Sequence, residues 1–472
     1  MSAVLKSLTD DALDNLALRV RHDLKCLDYP AKPWARPKTH EGKAVYDVII
    51  IGGGQSGLAV GFGLQREKIS NFLIVDESPA GFEGPWETYA RMVTLRTPKY
   101  LTGPDLGVAS LTFRAFWEAQ YGADTWETLG KVPRGEWMRY LRWFRHTLEM
   151  PVQNDTRVEL IEPLERGLFR LHSSKGPLLA RKVVLATGIQ GGGNWHMPDF
   201  ITSALPPDLY AHTSGPIDYT RFIGKKIGIL GGGASAFDNA QYALGLGITE
   251  AHVFMRRSKM PRINPIRFME NAGFLRHFSD LDDPAKYKSM DFFLNHSQPP
   301  TNDTFSRAAA YSGFHLHLGE PWLSVAKNGD GVRVTTPKGT HDYAFIVAST
   351  GLLTNLALRP ELAAVANDIA HWKDRYTPPP EQPKNALIDD HPYLGTSFEF
   401  LPRTPDAADR LHGLFAFNYS ALVSLGLSAA ALSGMKFAAP KLVAGITRQL
   451  FCDDQDEILT DFLAYAEEEF IH

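Results

Sequence analysis

The run Val48-Ile49-Ile50-Ile51-Gly52-Gly53-Gly54-Gln55-Ser56-Gly57 decides the fold of this chain. Four branched apolar residues predict a buried strand. The glycines that follow have separate tasks. Gly52 permits the tight turn out of the strand, Gly54 lets the backbone approach a pyrophosphate, and Gly57 lets the next helix pack against the sheet. That helix opens at Gln55-Ser56, continues through Leu58-Ala59-Val60-Gly61, and presents its first N–H groups to an anion. A second strand, Phe72-Leu73-Ile74-Val75, runs into Asp76-Glu77, where a carboxylate can accept hydrogen bonds from ribose hydroxyls. Of these two acids, Glu77 is the expected ribose ligand. The plainer alternative is a chance glycine turn with no ligand.

The same design recurs. Ile227-Gly228-Ile229-Leu230 leads into Gly231-Gly232-Gly233-Ala234-Ser235-Ala236, where Ala236 supplies the small side chain that close helix–strand packing requires. Here the second strand, His252-Val253-Phe254-Met255, ends in Arg256-Arg257. A carboxylate would repel a 2′-phosphate, whereas a guanidinium pairs with it bidentately, so this cradle is expected to take NADPH over NADH. A solvated arginine pair at a loop start is the alternative, although Lys259 and Arg262 add positive charge nearby. Two dinucleotide cradles on one chain point to electron transfer between a flavin, FAD, and a nicotinamide.

Two further apolar strands end alike, Lys182-Val183-Val184-Leu185 in Ala186-Thr187-Gly188 and Phe345-Ile346-Val347-Ala348 in Ser349-Thr350-Gly351. Such turns bring backbone close to a cofactor and cross between domains. Thr187 and Gly188 are therefore expected on the FAD side, and Thr350 and Gly351 on the NADPH side; Val158, which opens the short alternating strand Val158-Glu159-Leu160-Ile161, is also expected on the FAD side. The fold class is α/β, with two Rossmann-like dinucleotide-binding domains, the second inserted in the first. The expected boundaries are an N-terminal helical extension at 1–41, the FAD-binding domain at 42–213, the NADPH-binding domain at 214–340, and a return to the FAD-binding domain with C-terminal helices at 341–472. In the extension, Thr9 is expected to cap a helix from about Asp10 to Leu27. Its Leu13, Leu16, Val20 and Leu24 stripe is a packing or dimer face, and the proline-rich run that follows carries Trp34 as an anchor. Residues 135–150 read as a helix. The segment 263–315 belongs to neither nucleotide unit and reads as a cap over a substrate channel or a peripheral elaboration.

Composition narrows the function. A net charge of −4 and a pI near 6.5 give no hint of nucleic acid or an anionic membrane as partner. Met1 to Thr9 lacks the pattern of a secretory signal, and no apolar run reaches bilayer length. The expectation is a soluble, cytoplasmic protein, with a homodimer as the default assembly. The two cysteines, Cys26 and Cys452, sit near opposite ends. They cannot form the adjacent dithiol that disulfide-reducing flavoenzymes use, nor a cysteine-ligated metal cluster, and no metal is expected.

The ordered set of first fingerprint, Trp86, Ala-Thr-Gly turn, second fingerprint with arginines and second Thr-Gly turn resembles the class B flavin monooxygenases, most nearly their YUCCA-like and CzcO-like members. In those, a stretch like Tyr-Asp-x-Leu-x-Leu-His-x-Pro-Lys follows the tryptophan. Here it reads Tyr89-Ala90-Arg91-Met92-Val93-Thr94-Leu95-Arg96-Thr97-Pro98-Lys99. The resemblance covers roughly residues 45–430. It implies FAD in the first cradle, NADPH in the second, and a flavin C4a-(hydro)peroxide that oxygenates a small organic substrate. The outcome is N-, S- or ring hydroxylation, or Baeyer–Villiger or decarboxylating oxidation. The alternatives are an NADPH-dependent flavin oxidase or reductase without oxygen insertion, and a non-catalytic redox-responsive binding protein, which the arginines disfavour.

The resemblance also implies site residues. Trp86 follows the ribose acid and is expected at the cofactor. Arg96 replaces the usual histidine; it falls near the isoalloxazine, where a cation would favour the peroxide anion, unless it pairs with an FAD phosphate or a local carboxylate. Asn418 ends the strand Leu414-Phe415-Ala416-Phe417 and is expected at the flavin ring, or as a cap. Ser424-Leu425-Gly426-Leu427-Ser428 is expected to open a helix facing the flavin pyrimidine. Two departures stand out: Glu83 precedes Gly84-Pro85-Trp86 where the family has Gly-Gly-x-Trp, and His212 lacks the family's glycine four residues before it.

Overall fold

A computed structural model describes residues 11–100, 103–296, 298–429 and 431–470. Val48, Ile49 and Ile50 are fully buried because the strand Lys43–Ile51 runs parallel between Phe72–Val75 and Gly176–Leu185, covered on both faces. Ile50 pairs with Ile74 on one side and Val184 on the other. Among the described residues this first sheet has eight strands. Val152–Gln153 lies beyond Phe72–Val75, and the hairpin of Val158–Glu165 and Leu168–Ser173 extends the other side. Leu414–Ala416 returns from far along the chain to lie parallel to Gly176–Leu185.

Between these visits the chain builds a second, five-stranded parallel sheet in the order Phe314–Leu318, Glu250–Met255, Lys226–Leu230, Phe345–Ala348, Tyr210–His212. The second Rossmann-like unit is thus inserted in the first. Its strands Tyr210–His212, at one edge, and Phe345–Ala348, next to it, lie outside the stretch 214–340, so the second sheet takes in both flanks of that range. The reason is pairing: Ile346 and Ala348 bridge Tyr210 and His212 on one side and Gly228 and Leu230 on the other. Beyond the two Thr-Gly turns, Gly193–Trp195 and Leu352–Thr354 form an antiparallel ribbon, so the two crossings run side by side. A three-stranded antiparallel sheet, Ser324–Asn328, Gly331–Thr336 and Gly339–Tyr343, covers one face of the second sheet.

The N-terminal helix spans Ala12–Cys26, with Asp11 as its cap residue; Thr9 and Asp10 lie outside the described residues. Val20 is fully buried, and Leu13, Leu16 and Leu24 pack on the first core, so the stripe is a packing face. Trp34 anchors the run after it, donating from its indole N–H to the Glu67 carbonyl at 3.0 Å. The predicted 135–150 helix occupies Arg134–Thr147, its Trp137, Tyr140 and Phe144 fully buried. The expectation for Ser424–Ser428 needs correcting. That run ends the short helix Leu422–Leu425 and turns at Gly426, where φ is +69° and the backbone packs against the Phe278 ring. The long helix starts only at Leu432 and ends at Asp453.

Candidate functional site: two nucleotide cradles and an adjoining cavity

In the first cradle, Gly52 has φ +110°, and a Cβ there would lie 2.4 Å from the Ala186 carbonyl oxygen. A Cβ on Gly57 would lie 1.9 Å from the Gly52 carbonyl oxygen. Only glycine lets strand, turn and helix meet at this distance. Gly54 differs, since a Cβ there would meet nothing closer than Gly84 at 3.8 Å and would stand in the cleft. Gly54 is also the cap residue of the helix Gln55–Arg66, and no side chain caps that end. Its first N–H groups are left for an anion. The loop is therefore shaped for a pyrophosphate.

The cleft above it measures about 440 Å³ and is lined by Gly52, Gly54, Gln55, Ser56, Asp76, Glu77, Trp86, Val158, Thr187 and Gly188, all singled out in the sequence. Asp76 is buried; its carboxylate accepts N–H bonds from Gly53 at 2.6 Å and Ser78 at 2.7 Å, while burial raises its pKa. Glu77 is exposed, with Arg157 at 3.6 Å. Trp86 lies edge-on to Trp137, whose indole N–H donates to the Gln55 amide oxygen at 3.2 Å. The unusual Glu83 is explained by its partners. It is buried and accepts from Arg145 and Asn154, each at 2.6 Å, and from the Gly81 N–H at 2.9 Å, which braces the loop carrying Trp86.

Arg96 and Asn418 are both engaged by partners within the protein. The Arg96 guanidinium pairs with Asp238, a buried carboxylate on the helix Ala234–Gly245 of the second unit, and neither residue lines the first cleft. This is the local-carboxylate alternative. Asn418 is buried with every side-chain polar atom engaged. Its oxygen accepts from the Ser420 N–H at 2.9 Å and hydroxyl at 2.7 Å; its amide donates to the carbonyls of Leu185 (3.3 Å) and Gly191 (3.4 Å) and to the Thr187 hydroxyl (3.2 Å). It caps the 3₁₀ turn Tyr419–Ala421 and ties it to the first Thr-Gly turn.

The second cradle repeats the first. Gly231 has φ +118°, and a Cβ on it would lie 2.2 Å from the Ser349 carbonyl oxygen, while Gly233 is open. The helix Ala234–Gly245 starts with no side-chain cap, placing Ala234 and Ser235 in its first turn, and Ala236 is fully buried. Arg256 and Arg257 are exposed at the end of Glu250–Met255; Arg257 donates to the Asn295 carbonyl at 3.1 Å. The Thr350 hydroxyl donates to the His196 carbonyl, and the Gly351 carbonyl accepts from the His196 N–H at 3.0 Å.

Sequence reasoning missed several residues at the seam. Arg359 and Glu361 also line the first cleft, the guanidinium donating to the carboxylate at 2.6 and 2.8 Å, and no motif marks them. Tyr89, Trp195 and His212 form a ladder, with ring centres 5.9 and 5.1 Å apart. Burial pushes the Tyr89 phenol up to about 12 and the His212 imidazole down to about 4, and His212 Nε2 has no partner among the described residues. Ile189 lines both the first cleft and a second cavity of about 390 Å³. The far wall of that cavity comes from Asn264, Ile266, Phe293, Leu294, His296 and Gln298, the near wall from Asn418, Leu422, Leu427 and Ser428. The 263–315 segment is thus a wall of a cavity beside the cofactor cleft.

Comparison with known proteins agrees with this geometry. The model of the pyridine nucleotide-disulphide oxidoreductase family matches residues 49–265, although Cys26 and Cys452 are unpaired, exposed and outside the first cleft. The chain is 56% identical over 462 residues, 98% of each chain, to the FAD-dependent urate hydroxylase of Xanthomonas campestris pv. campestris. It is 24% identical over 231 residues, 49% of this chain and 59% of the other, to a CzcO-like oxidoreductase of Geobacillus kaustophilus. The ornithine hydroxylase of Pseudomonas aeruginosa shares the fold, with a TM-score of 0.68 at 16% identity over 86% of this chain and 100% of that one.

Fold, paired cradles and relatives together define a flavin-dependent monooxygenase that hydroxylates a small substrate. More narrowly, the chain belongs to the FAD-dependent urate hydroxylase family.

Proposed function

We propose that this enzyme hydroxylates urate, using FAD in the first cradle, NADPH in the second, and O₂. The observation that carries the substrate is the 56% identity, over 98% of both chains, to the Xanthomonas enzyme of that name. The cavity beside Asn418 supports it. Leu422, Leu427, Phe293 and Leu294 provide apolar faces for a flat ring, while Asn264, His296, Gln298 and Ser428 offer edge hydrogen bonds to a purine rich in N–H and C=O groups.

The chain's own residues bind and orient. The uncapped helix at Gln55 takes the FAD pyrophosphate, and Thr187, Gly188, Val158 and Trp86 flank the cofactor. Asp76, held by the N–H groups of Gly53 and Ser78 on the wall of the cleft, suits the ribose better than the exposed Glu77. Gly231, Gly233, Ala234 and Ser235 cradle the NADPH pyrophosphate, with Arg256 and Arg257 at its 2′-phosphate and Thr350 and Gly351 at the crossing. Bound FAD supplies electron transfer from NADPH and the activation of O₂. Arg96 and Asn418 serve as positioning residues, joining the two units and fixing the first Thr-Gly turn.

Among the described residues no helix is long and apolar enough to cross a membrane. We place the enzyme in the cytoplasm, where NADPH is supplied and its two free cysteines stay reduced; a homodimer is the expected assembly, read by light scattering of the holoenzyme. The function is tested by following urate, NADPH and O₂ together. Urate loss matching NADPH and O₂ consumption one to one is expected. NADPH oxidation at the same rate with or without urate, the urate remaining intact, would overturn the reading in favour of an oxidase.

A further inference from the structure

The face of the second sheet away from both cradles carries a cluster of imidazoles and carboxylates that the hydroxylase chemistry leaves unused. Glu250 and His252 are two apart on Glu250–Met255, so they share a face. His315, on the neighbouring parallel strand, is the register partner of His252. His252 Nε2 lies 2.9 Å from Glu250 Oε2, and His315 Nε2 lies 4.0 Å from the same oxygen. The three ligand atoms all fall within 4.8 Å of one another. Those contacts straddle the roughly 3.4 Å edge of a tetrahedron with metal–ligand bonds of about 2.1 Å. The other carboxylate oxygen of Glu250 is taken by Lys226 at 2.8 Å, which leaves Oε2 for the imidazoles.

A count of protons gives the second, independent observation. A continuous chain runs from Glu250 to His252 Nε2, from His252 Nδ1 to His317 Nε2 at 3.0 Å, and from His317 Nδ1 to Glu320 at 3.2 Å. These three contacts need three hydrogens, but two neutral imidazoles carry two. If His317 Nδ1–H donates to Glu320 and His252 Nδ1–H donates to His317, the bare lone pair of His252 Nε2 is left facing a carboxylate. In that arrangement a cation on His252 Nε2 completes the contact. A metal on His252 Nε2 closes the count, and His317 with Glu320 becomes the carboxylate–histidine relay that commonly orients a metal-bound imidazole.

We propose that Glu250, His252 and His315 bind one divalent transition-metal ion of the zinc class, completed by water on the open side of His315. Glu320 is a supporting carboxylate and not a ligand, because Thr336, His341, His317 and Lys338 already occupy both its oxygens. The site is structural. It lies at the start of a strand whose far end carries Arg256 and Arg257, and the N–H groups of Gly319 and Glu320 hold the carbonyls of Arg257 and Met255 at 2.8 and 2.9 Å. The sequence shows no metal motif; strand register brings the ligands together.

The test titrates chelator-treated, FAD-loaded holoenzyme with Zn²⁺ by calorimetry, and with Co²⁺ by its ligand-field absorption beyond the flavin bands. One equivalent at sub-micromolar Kd, a tetrahedral Co²⁺ spectrum and a raised melting midpoint are expected. His315→Ala, at a half-open position, should weaken binding at least tenfold while FAD content and the rate of reduction by NADPH stay unchanged. No saturable one-to-one binding, an octahedral Co²⁺ spectrum, or equal affinity in His315→Ala and His252→Asn would overturn the proposal.

Discussion

Replacing Gly54 with alanine separates the cofactor cradle from the scaffold that carries it. A Cβ at this position would meet only the Gly84 backbone, at 3.8 and 3.9 Å, and the local φ of −71° and ψ of −170° are open to alanine. Losing a glycine cap for alanine costs up to about 1 kcal/mol, while the less flexible unfolded chain returns about 0.4–1 kcal/mol. The apoprotein midpoint should therefore move by no more than about 2 °C. The methyl group, however, stands where a phosphate would approach the helix N–H groups. Losing one charge-assisted hydrogen bond costs about 1.5–3 kcal/mol, which weakens FAD binding by roughly tenfold to a hundredfold. Gly52→Ala is the opposite case. With φ at +110° and a backbone oxygen 2.4 Å from the new Cβ, it should cost the apoprotein roughly 2–5 kcal/mol. The assay is differential scanning calorimetry of the deflavinated variants, with FAD affinity read by quenching of flavin fluorescence. Gly54→Ala binding FAD with unchanged Kd, or melting as early as Gly52→Ala, would refute the assignment of this loop as the pyrophosphate cradle.

Three further outcomes follow from the geometry. Arg256→Ala should raise the KM for NADPH roughly tenfold to a hundredfold, about 1.4–2.8 kcal/mol, and leave the KM for NADH nearly unchanged; equal losses would remove the 2′-phosphate from its role. Arg96→Ala leaves the buried Asp238 unpaired and should destabilise the protein by about 3–5 kcal/mol. Lost turnover at an unchanged melting midpoint would instead return Arg96 to the flavin. His391 is fully buried and held down to about 4 by desolvation, so the unfolded chain binds the extra proton between pH 4 and 6.5. Its contribution is present above pH 6.5 and is lost on acidification at up to about 1.4 kcal/mol per pH unit. His391→Phe should flatten that part of the stability–pH profile measured by urea unfolding.

What the sequence made legible is what local geometry dictates. At Gly52, Gly57 and Gly231 a positive φ or a backbone oxygen within 2.4 Å excludes every other residue, so a motif can be read there without knowing the fold. Helical spacing of Leu13, Leu16, Val20 and Leu24 marked the stripe, again from local geometry alone. The role of Arg96 was not legible in this way, since Asp238 lies 142 residues on and only the docking of the second unit brings the charges together. Asn418 was expected at the flavin ring or as a cap; the partners of its amide, Leu185, Thr187 and Gly191, come from a distant strand and turn that only the folded sheet brings alongside. Arg359 and Glu361 reach the cleft from a stretch with no periodicity or motif, and the His252–His315 pairing exists only once strand register is set.

The two crossings explain why the copies of the small-Thr-Gly turn are so alike. Each is the carboxyl end of a strand beside its own fingerprint strand, and each supplies the carbonyl, Ala186 or Ser349, that the first fingerprint glycine must clear. The chain then enters the shared ribbon of Gly193–Trp195 and Leu352–Thr354, where a Cβ on Gly193 would lie 1.7 Å from the Leu353 carbonyl oxygen. The two crossings therefore meet through backbone contacts that leave no room for a side chain at Gly193. The Arg96–Asp238 pair closes the same seam from the side of the second fingerprint helix. Electron transfer between two bound dinucleotides requires their reacting rings to meet within near-contact distance. A seam of glycine-tight backbone and an ion pair to the buried Asp238 carboxylate holds the two cradles in one relative arrangement.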